Sequence, residues 1–148
     1  MARQPAKPIT LTMPTFSFQK LVRNKIVQIQ EAEGATPIYR VLENDDHRKE
    51  LLRKLEEEVA EVREACNSTQ NAEAQILEEI ADVQQVLDDL VHALGLTKEE
   101  IEKARQDKEA KSGGFDEGIY IETVEIPEDN KWVGYYRKNS ERYPETNC

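Results

Sequence analysis

The sequence predicts an all-α fold, a four-helix bundle carrying a short C-terminal β-hairpin, and three observations lead there. Residue usage favours helices: aromatic residues make up only 6% of the chain, while Glu, Leu, Ala and Lys are abundant. Apolar residues recur at helical spacing through two long windows. Glycines stand where those windows end, at Gly34, Gly95 and Gly113-Gly114. A chain of 148 residues suits one principal core.

Residues 1–15 hold Pro5, Pro8 and Pro14 and read as a flexible N-terminal arm. Phe16 to Phe18 is expected as a short strand, followed by a helix from Lys20 to Glu33 that Gly34 closes. Thr36 to Leu42 is β-branched and Pro-led, hence extended. Asn44, Asp45 and Asp46 offer N-caps for a helix reaching Cys66, with Leu51, Leu52, Leu55, Val59 and Val62 as its buried stripe. After the polar break Asn67–Asn71, a helix over 72–94 carries Ile76, Leu77, Ile80, Val83, Leu87, Leu90, Val91 and Leu94. Thr97-Lys-Glu-Glu100 is a capping-box sequence that opens a fourth helix. Residues 118–126 and 131–136, joined by Pro-Glu-Asp-Asn, predict the hairpin. Domain organisation thus reads as arm (1–15), helical domain (16–122), and hairpin with tail (123–148).

Composition narrows the function classes. At 38% hydrophobic and 34% charged residues the chain has a globular, soluble composition. A net charge of −10 argues against nucleic acid or an anionic membrane as partner, and no apolar run approaches a membrane span. Two cysteines, Cys66 and Cys148, imply no disulfide framework and a reducing, cytoplasmic setting. The charge is also uneven. No acid precedes Glu31, whereas residues 43–64 hold nine acids against five bases. Such asymmetry suits a site with a metal on one wall and an anion on the other.

Chemistry is carried by Glu57-Glu58-Val59-Ala60-Glu61 on the second helix and Glu79-Ile80-Ala81-Asp82 on the third. Each helix presents an acid pair at i, i+3, on one face. At about 100° per residue, Glu58 falls at the edge of the apolar arc and Glu61 just beyond it, while Glu57 points to water. Glu79 falls inside the arc of its helix, between Val83 and Val86, and Asp82 just past it. Buried carboxylates brought together repel and raise one another's pKa, and a divalent cation removes both penalties. An all-oxygen donor set selects Mg²⁺, with Mn²⁺ or Ca²⁺ as substitutes, over Zn²⁺. A lone Glu-x-x-Glu would be an ordinary surface pair balanced by Arg53, Lys54 and Arg63; the matched pair on the next helix favours the metal.

Basic residues supply phosphate donors. Arg105, Lys108 and Lys111 form a ridge at i, i+3 and i+6 on the fourth helix, although the helix dipole alone favours cations there. Lys20, Arg23 and Lys25 form a second cluster. His47 and His92 lack ligand-spaced partners and read as surface or packing residues. Trp132, Tyr135 and Tyr136 are better suited to packing the hairpin than to stacking a base.

These motifs, Glu-Glu-x-x-Glu followed by Glu-x-x-Asp, resemble the signature of the all-α nucleoside triphosphate pyrophosphohydrolases. The likeness is closest to the MazG-like subgroup called phosphoribosyl-ATP pyrophosphohydrolase-like. It extends over Lys20-Leu-Val-Arg-Asn-Lys-Ile26, Pro37-Ile-Tyr-Arg-Val-Leu42, Lys54 to Glu61, Glu79 to Asp82, and Gly113-Gly-Phe-x-x-Gly-Ile119. Asn24 stands where similar proteins usually carry Asp, and Lys111-Ser112 where Arg is common.

The resemblance implies that Glu58, Glu61, Glu79 and Asp82 hold Mg²⁺. It further implies that Lys54, Lys108 and Lys111 contact phosphates. The expected reaction cleaves a nucleoside triphosphate between its α- and β-phosphates, giving a monophosphate and pyrophosphate, with Glu58 orienting the water. A homodimer or homotetramer is expected, because a bundle this small leaves apolar stripe uncovered. The rival readings are a phosphoribosyl-ATP pyrophosphohydrolase of histidine biosynthesis and a non-catalytic helical nucleotide-binding or interaction module.

Overall fold

In the computed structural model, which describes residues 13–68 and 72–146, the chain is all-helical. Its elements are α1 (Ile26–Ala32), α2 (Asn44–Asn67), α3 (Ala72–Ala93), α4 (Lys98–Ser112) and α5 (Trp132–Lys138). Two compact units divide within α4, one ending at Arg105 and the other beginning at Gln106. The expected arm falls largely outside the described residues, as does Cys148.

The first unit is organised by α2 and α3, which pack along each other. They run antiparallel: Arg48, near the start of α2, donates from Nε to the Ala93 carbonyl at the end of α3 (3.2 Å). That bond also places a cation at the negative end of α3. Leu51, Ala65 and Val86 are buried at the seam. Much of the predicted stripe is not: Leu52, Val59, Leu77 and Ile80 remain about half exposed or more. The long helices therefore form an antiparallel pair rather than a complete four-helix bundle.

The joint from α3 to α4 follows its local sequence closely. Gly95 adopts φ +72°, which only a residue without Cβ enters at no cost. It lets the Gly95 and Leu96 amides reach the carbonyls of His92 and Val91 (2.9 and 3.0 Å), closing α3 as a Schellman turn. The capping box forms two residues later. The Glu100 amide donates to Thr97 Oγ1 (3.2 Å) and the Thr97 amide to Glu100 Oε2 (2.8 Å).

Four expectations are corrected. Phe16 to Phe18 is not a strand, and helix α1 begins at Ile26 rather than Lys20. Gln19 takes φ +46°, and side chains of residues 20–23 are drawn into ion pairs with α2 and α3, which a continuous helix would misdirect. Asn44 is the first residue of α2, with φ +49°, and no side chain caps that helix. No strand forms among the described residues, so the predicted hairpin is absent. Residues 119–126 form neither helix nor strand, and 132–138 coil into α5. There the Trp132 amide bonds Asn130 Oδ1 (3.0 Å). Helical spacing sets Trp132 edge-on to Tyr135 and stacked on Tyr136; a strand would put 132 and 135 on opposite faces and 132 and 136 about 13 Å apart.

Candidate metal centre

Glu58 lies on α2 one turn after Lys54 and one turn before Glu61, with its side chain turned into the seam with α3. Among the described residues it is the one charged side chain that is buried, at 3% exposure. Carboxylate oxygens of Glu58, Glu61 and Glu79 come within 4.8 Å of one another. Two helices thus converge three negative charges on one point. Asp82, one turn beyond Glu79, lies outside that trio and is paired with Arg23.

The surroundings of the trio are cationic. Lys54 Nζ sits 2.6 Å from Glu58 Oε1 and 3.0 Å from Glu57 Oε1. Lys20 Nζ reaches the same Glu57 oxygen at 3.0 Å. The second oxygen of Glu58, Oε2, is buried with no hydrogen-bond partner, a costly arrangement for a carboxylate.

The titration behaviour follows from this layout. Partial burial, then the adjoining Glu58 carboxylate and the charge of Glu79, push the Glu61 carboxyl above its ordinary range. Burial acts the same way on Glu57, but the Lys20 and Lys54 ammoniums prevail and hold it below that range. Burial acts to lower Lys54, and its hydrogen bonds to Glu58 and Glu57 outweigh this and hold the ammonium above its usual value.

The donor chemistry fits a hard dication. All three converging ligands are carboxylate oxygens, and one of the three residues, Glu58, carries a buried oxygen without a hydrogen-bond partner. Counting Glu57, Glu58, Glu61, Glu79 and Asp82 against Lys20, Arg23 and Lys54 leaves two negative charges in excess, which one divalent ion would neutralise.

Other sequence-predicted residues stand elsewhere. Lys25 is exposed at the start of α1. Arg105, Lys108 and Lys111 line α4, all exposed, with Arg105 bonded to Glu102 (2.8 Å). Glu57, expected to face water, is instead half covered by the segment around Lys20. Its signal in the sequence was the lysine three residues earlier. A cleft of about 350 Å³ opens between Gln19–Leu21 and α2, where Glu50, Arg53, Lys54, Glu56 and Glu57 form its wall.

No family model matches the chain, and no solved structure matches it. An uncharacterized protein of Mycolicibacterium smegmatis is 46% identical over 46 residues, 31% of this chain and 47% of the relative. The chain spans about half the length of that relative.

Proposed function

We propose that this protein is a Mg²⁺-dependent nucleoside triphosphate pyrophosphohydrolase, with Mn²⁺ as a substitute ion. The observation that carries the reading is the Glu58 carboxylate, buried beside Glu61 and Glu79 with one oxygen unpartnered. Glu58, Glu61 and Glu79 would hold the metal, with Asp82 next to them on α3. When bound, the ion supplies positive charge to offset what develops on the phosphate oxygens.

The chain's own residues do the remaining work. Glu58 orients the attacking water and accepts its proton. The water oxygen bonds to phosphorus, the α–β bridging P–O bond breaks, and pyrophosphate departs with that electron pair. Lys54, paired with Glu58, and Lys20, across the cleft from it, donate to the phosphate tail. Arg23 reaches the site through Asp82. Lys25 and Arg105, in the same unit as the acids, supply further positive charge for an anionic substrate.

The exposed faces of α2 and α3 support assembly. Leu52, Val59, Leu77 and Ile80 would be covered by a second copy, whose own α2–α3 pair would complete a four-helix bundle in a homodimer or, by doubling, a homotetramer. No helix of the described residues is long and apolar enough to cross a membrane. The reading is of a cytoplasmic enzyme acting on nucleotides rather than nucleic acid, in nucleotide-pool housekeeping.

The test is product analysis with Mg²⁺ on a panel of NTPs, dNTPs and phosphoribosyl-ATP, beside Glu58→Gln and Glu79→Gln. Monophosphate and pyrophosphate from the parent, and neither from the variants, is the expected result. Exclusive turnover of phosphoribosyl-ATP would reassign the substrate. Absence of turnover, or turnover that both variants keep, overturns the reading.

A further inference from the structure

The acid group is met by cations belonging to the chain itself, and their placement has a consequence for how the site loads. Lys54 holds one oxygen of Glu58 at 2.6 Å, and Arg23 holds Asp82. We propose that Lys54 and Arg23 are exchangeable counter-ions, which hold Glu58 and Asp82 in the metal-free chain and pass to substrate phosphates when a divalent cation binds. Metal and pyrophosphate then bind with positive coupling. The inference rests on the metal-centre reading above and deepens it by naming how that site is regulated.

Three observations carry it. First, the buried Glu58 cannot stand alone: with Oε2 unpartnered, Lys54 is its compensating charge within hydrogen-bond reach among the described residues. Second, a dication on Glu58, Glu61 and Glu79 would stand a few ångströms from the Lys54 ammonium, where like charges repel strongly and screening is weak. Third, the ammonium has somewhere to go. Lys54 lines the cleft that Gln19, Lys20 and Leu21 close from the other side, and its flexible four-carbon stem lets the head group turn there without moving α2. Arg23 has a side chain 58% exposed and swings out at little cost.

Each ligand thus removes an obstacle to the other. The metal displaces the cations from the carboxylates, and the phosphates accept the cations so displaced. Linkage makes this reciprocal: whatever factor pyrophosphate adds to metal affinity, the metal adds to pyrophosphate affinity. A fixed salt bridge truncated in the same way would also raise metal affinity, by removing a nearby positive charge, but would leave the pyrophosphate effect intact, so retention of that effect in both variants overturns the exchange.

The experiment is Mn²⁺ binding by calorimetry and by the spin-resonance signal of free Mn²⁺, with and without inorganic pyrophosphate, corrected for complexation in solution. Parent protein should bind Mn²⁺ about tenfold more tightly with pyrophosphate present. Lys54→Met and Arg23→Gln should each bind Mn²⁺ alone more tightly than the parent, by about fivefold or more, and lose most of the pyrophosphate effect. Lys54→Arg, which keeps the charge, should behave as the parent does. Arg23 lies at an exposed pair, so Arg23→Gln folds even where Lys54→Met is destabilised. Mn²⁺ affinity that is equal or weaker in Arg23→Gln and Lys54→Met overturns the exchange while leaving the metal centre standing. Absence of Mn²⁺ uptake by parent and variants alike overturns both.

Discussion

Two regions of this molecule gather charge in opposite ways. On α2 and α3, Glu58, Glu61 and Glu79 are crowded together with one oxygen left unpartnered. In the C-terminal unit, one cation is shared cleanly between two anions. Arg137 donates from Nη1 and Nη2 to Glu128 (2.5 and 3.1 Å) and from Nε and Nη2 to Glu145 (3.0 and 2.9 Å). Those bonds hold both carboxyls below their usual range and the guanidinium above its own. Beside them Tyr135, Tyr136 and Tyr143 pack ring against ring. A charge network in which both carboxylates and the guanidinium are hydrogen-bonded is accounted for by the local structure. One that remains mismatched against its own stability asks for a ligand.

The comparison is open to attack at both ends. Glu58→Gln should cut pyrophosphohydrolase turnover on the order of 10³-fold, whereas Arg137→Met should leave turnover near that of the parent; equal losses would erase the contrast. Glu61→Gln should raise the melting temperature of the metal-free protein near neutral pH while weakening Mg²⁺ binding, because it removes a charge its neighbours disfavour. A melting temperature that falls in this variant would mean that the acids are already compensated.

Proton linkage separates the two regions by sign. The Glu61 carboxyl is raised in the fold, so its contribution is full below the unfolded value of about 4.3 and is lost as pH rises through the folded one. Mg²⁺ should therefore raise the melting temperature more at about pH 7 than at about pH 5. Glu128 and Glu145 are lowered. Their contribution is present above about 4.3 and disappears as pH falls through their folded values. Trp132 fluorescence, next to this cluster, should report loosening of α5 on acidification, and Arg137→Met should remove that acid-dependent step. The smallest expected effect is Thr97→Ala, which deletes half of the capping box and should cost about 1 kcal/mol in urea unfolding.

Legibility in the sequence tracked the range of the forces involved. The ends of α3 and α4 were plain, because Gly95, Thr97 and Glu100 act on their immediate neighbours. The placement of Glu58 at the edge of an apolar arc was likewise visible from spacing alone. The segment from Lys20 to Lys25 reads as helix, yet its side chains meet Glu57 and Asp82, 37 and 59 residues away from Lys20 and Arg23, contacts that local sequence does not encode. α5 departs from its expected strand for a different reason. Trp132, Val133, Tyr135 and Tyr136 have high strand preference, but that preference expresses packing on a sheet, and here no sheet exists to receive them among the described residues. Ring contacts at helical spacing and the Asn130 bond to the Trp132 amide decide the outcome instead.

The stretch from Gly114 to Val124 has a practical consequence of its own. Phe115 is wholly exposed and Tyr120 nearly so, and residues 118–127 lie in no helix or strand. Backbone without such structure enters a protease cleft most readily, and an endoprotease selective for aromatic residues should nick the native protein here first. Cleavage there would divide the polypeptide into a segment containing α2 and α3 and one containing α5, so the folding of each could be assayed apart.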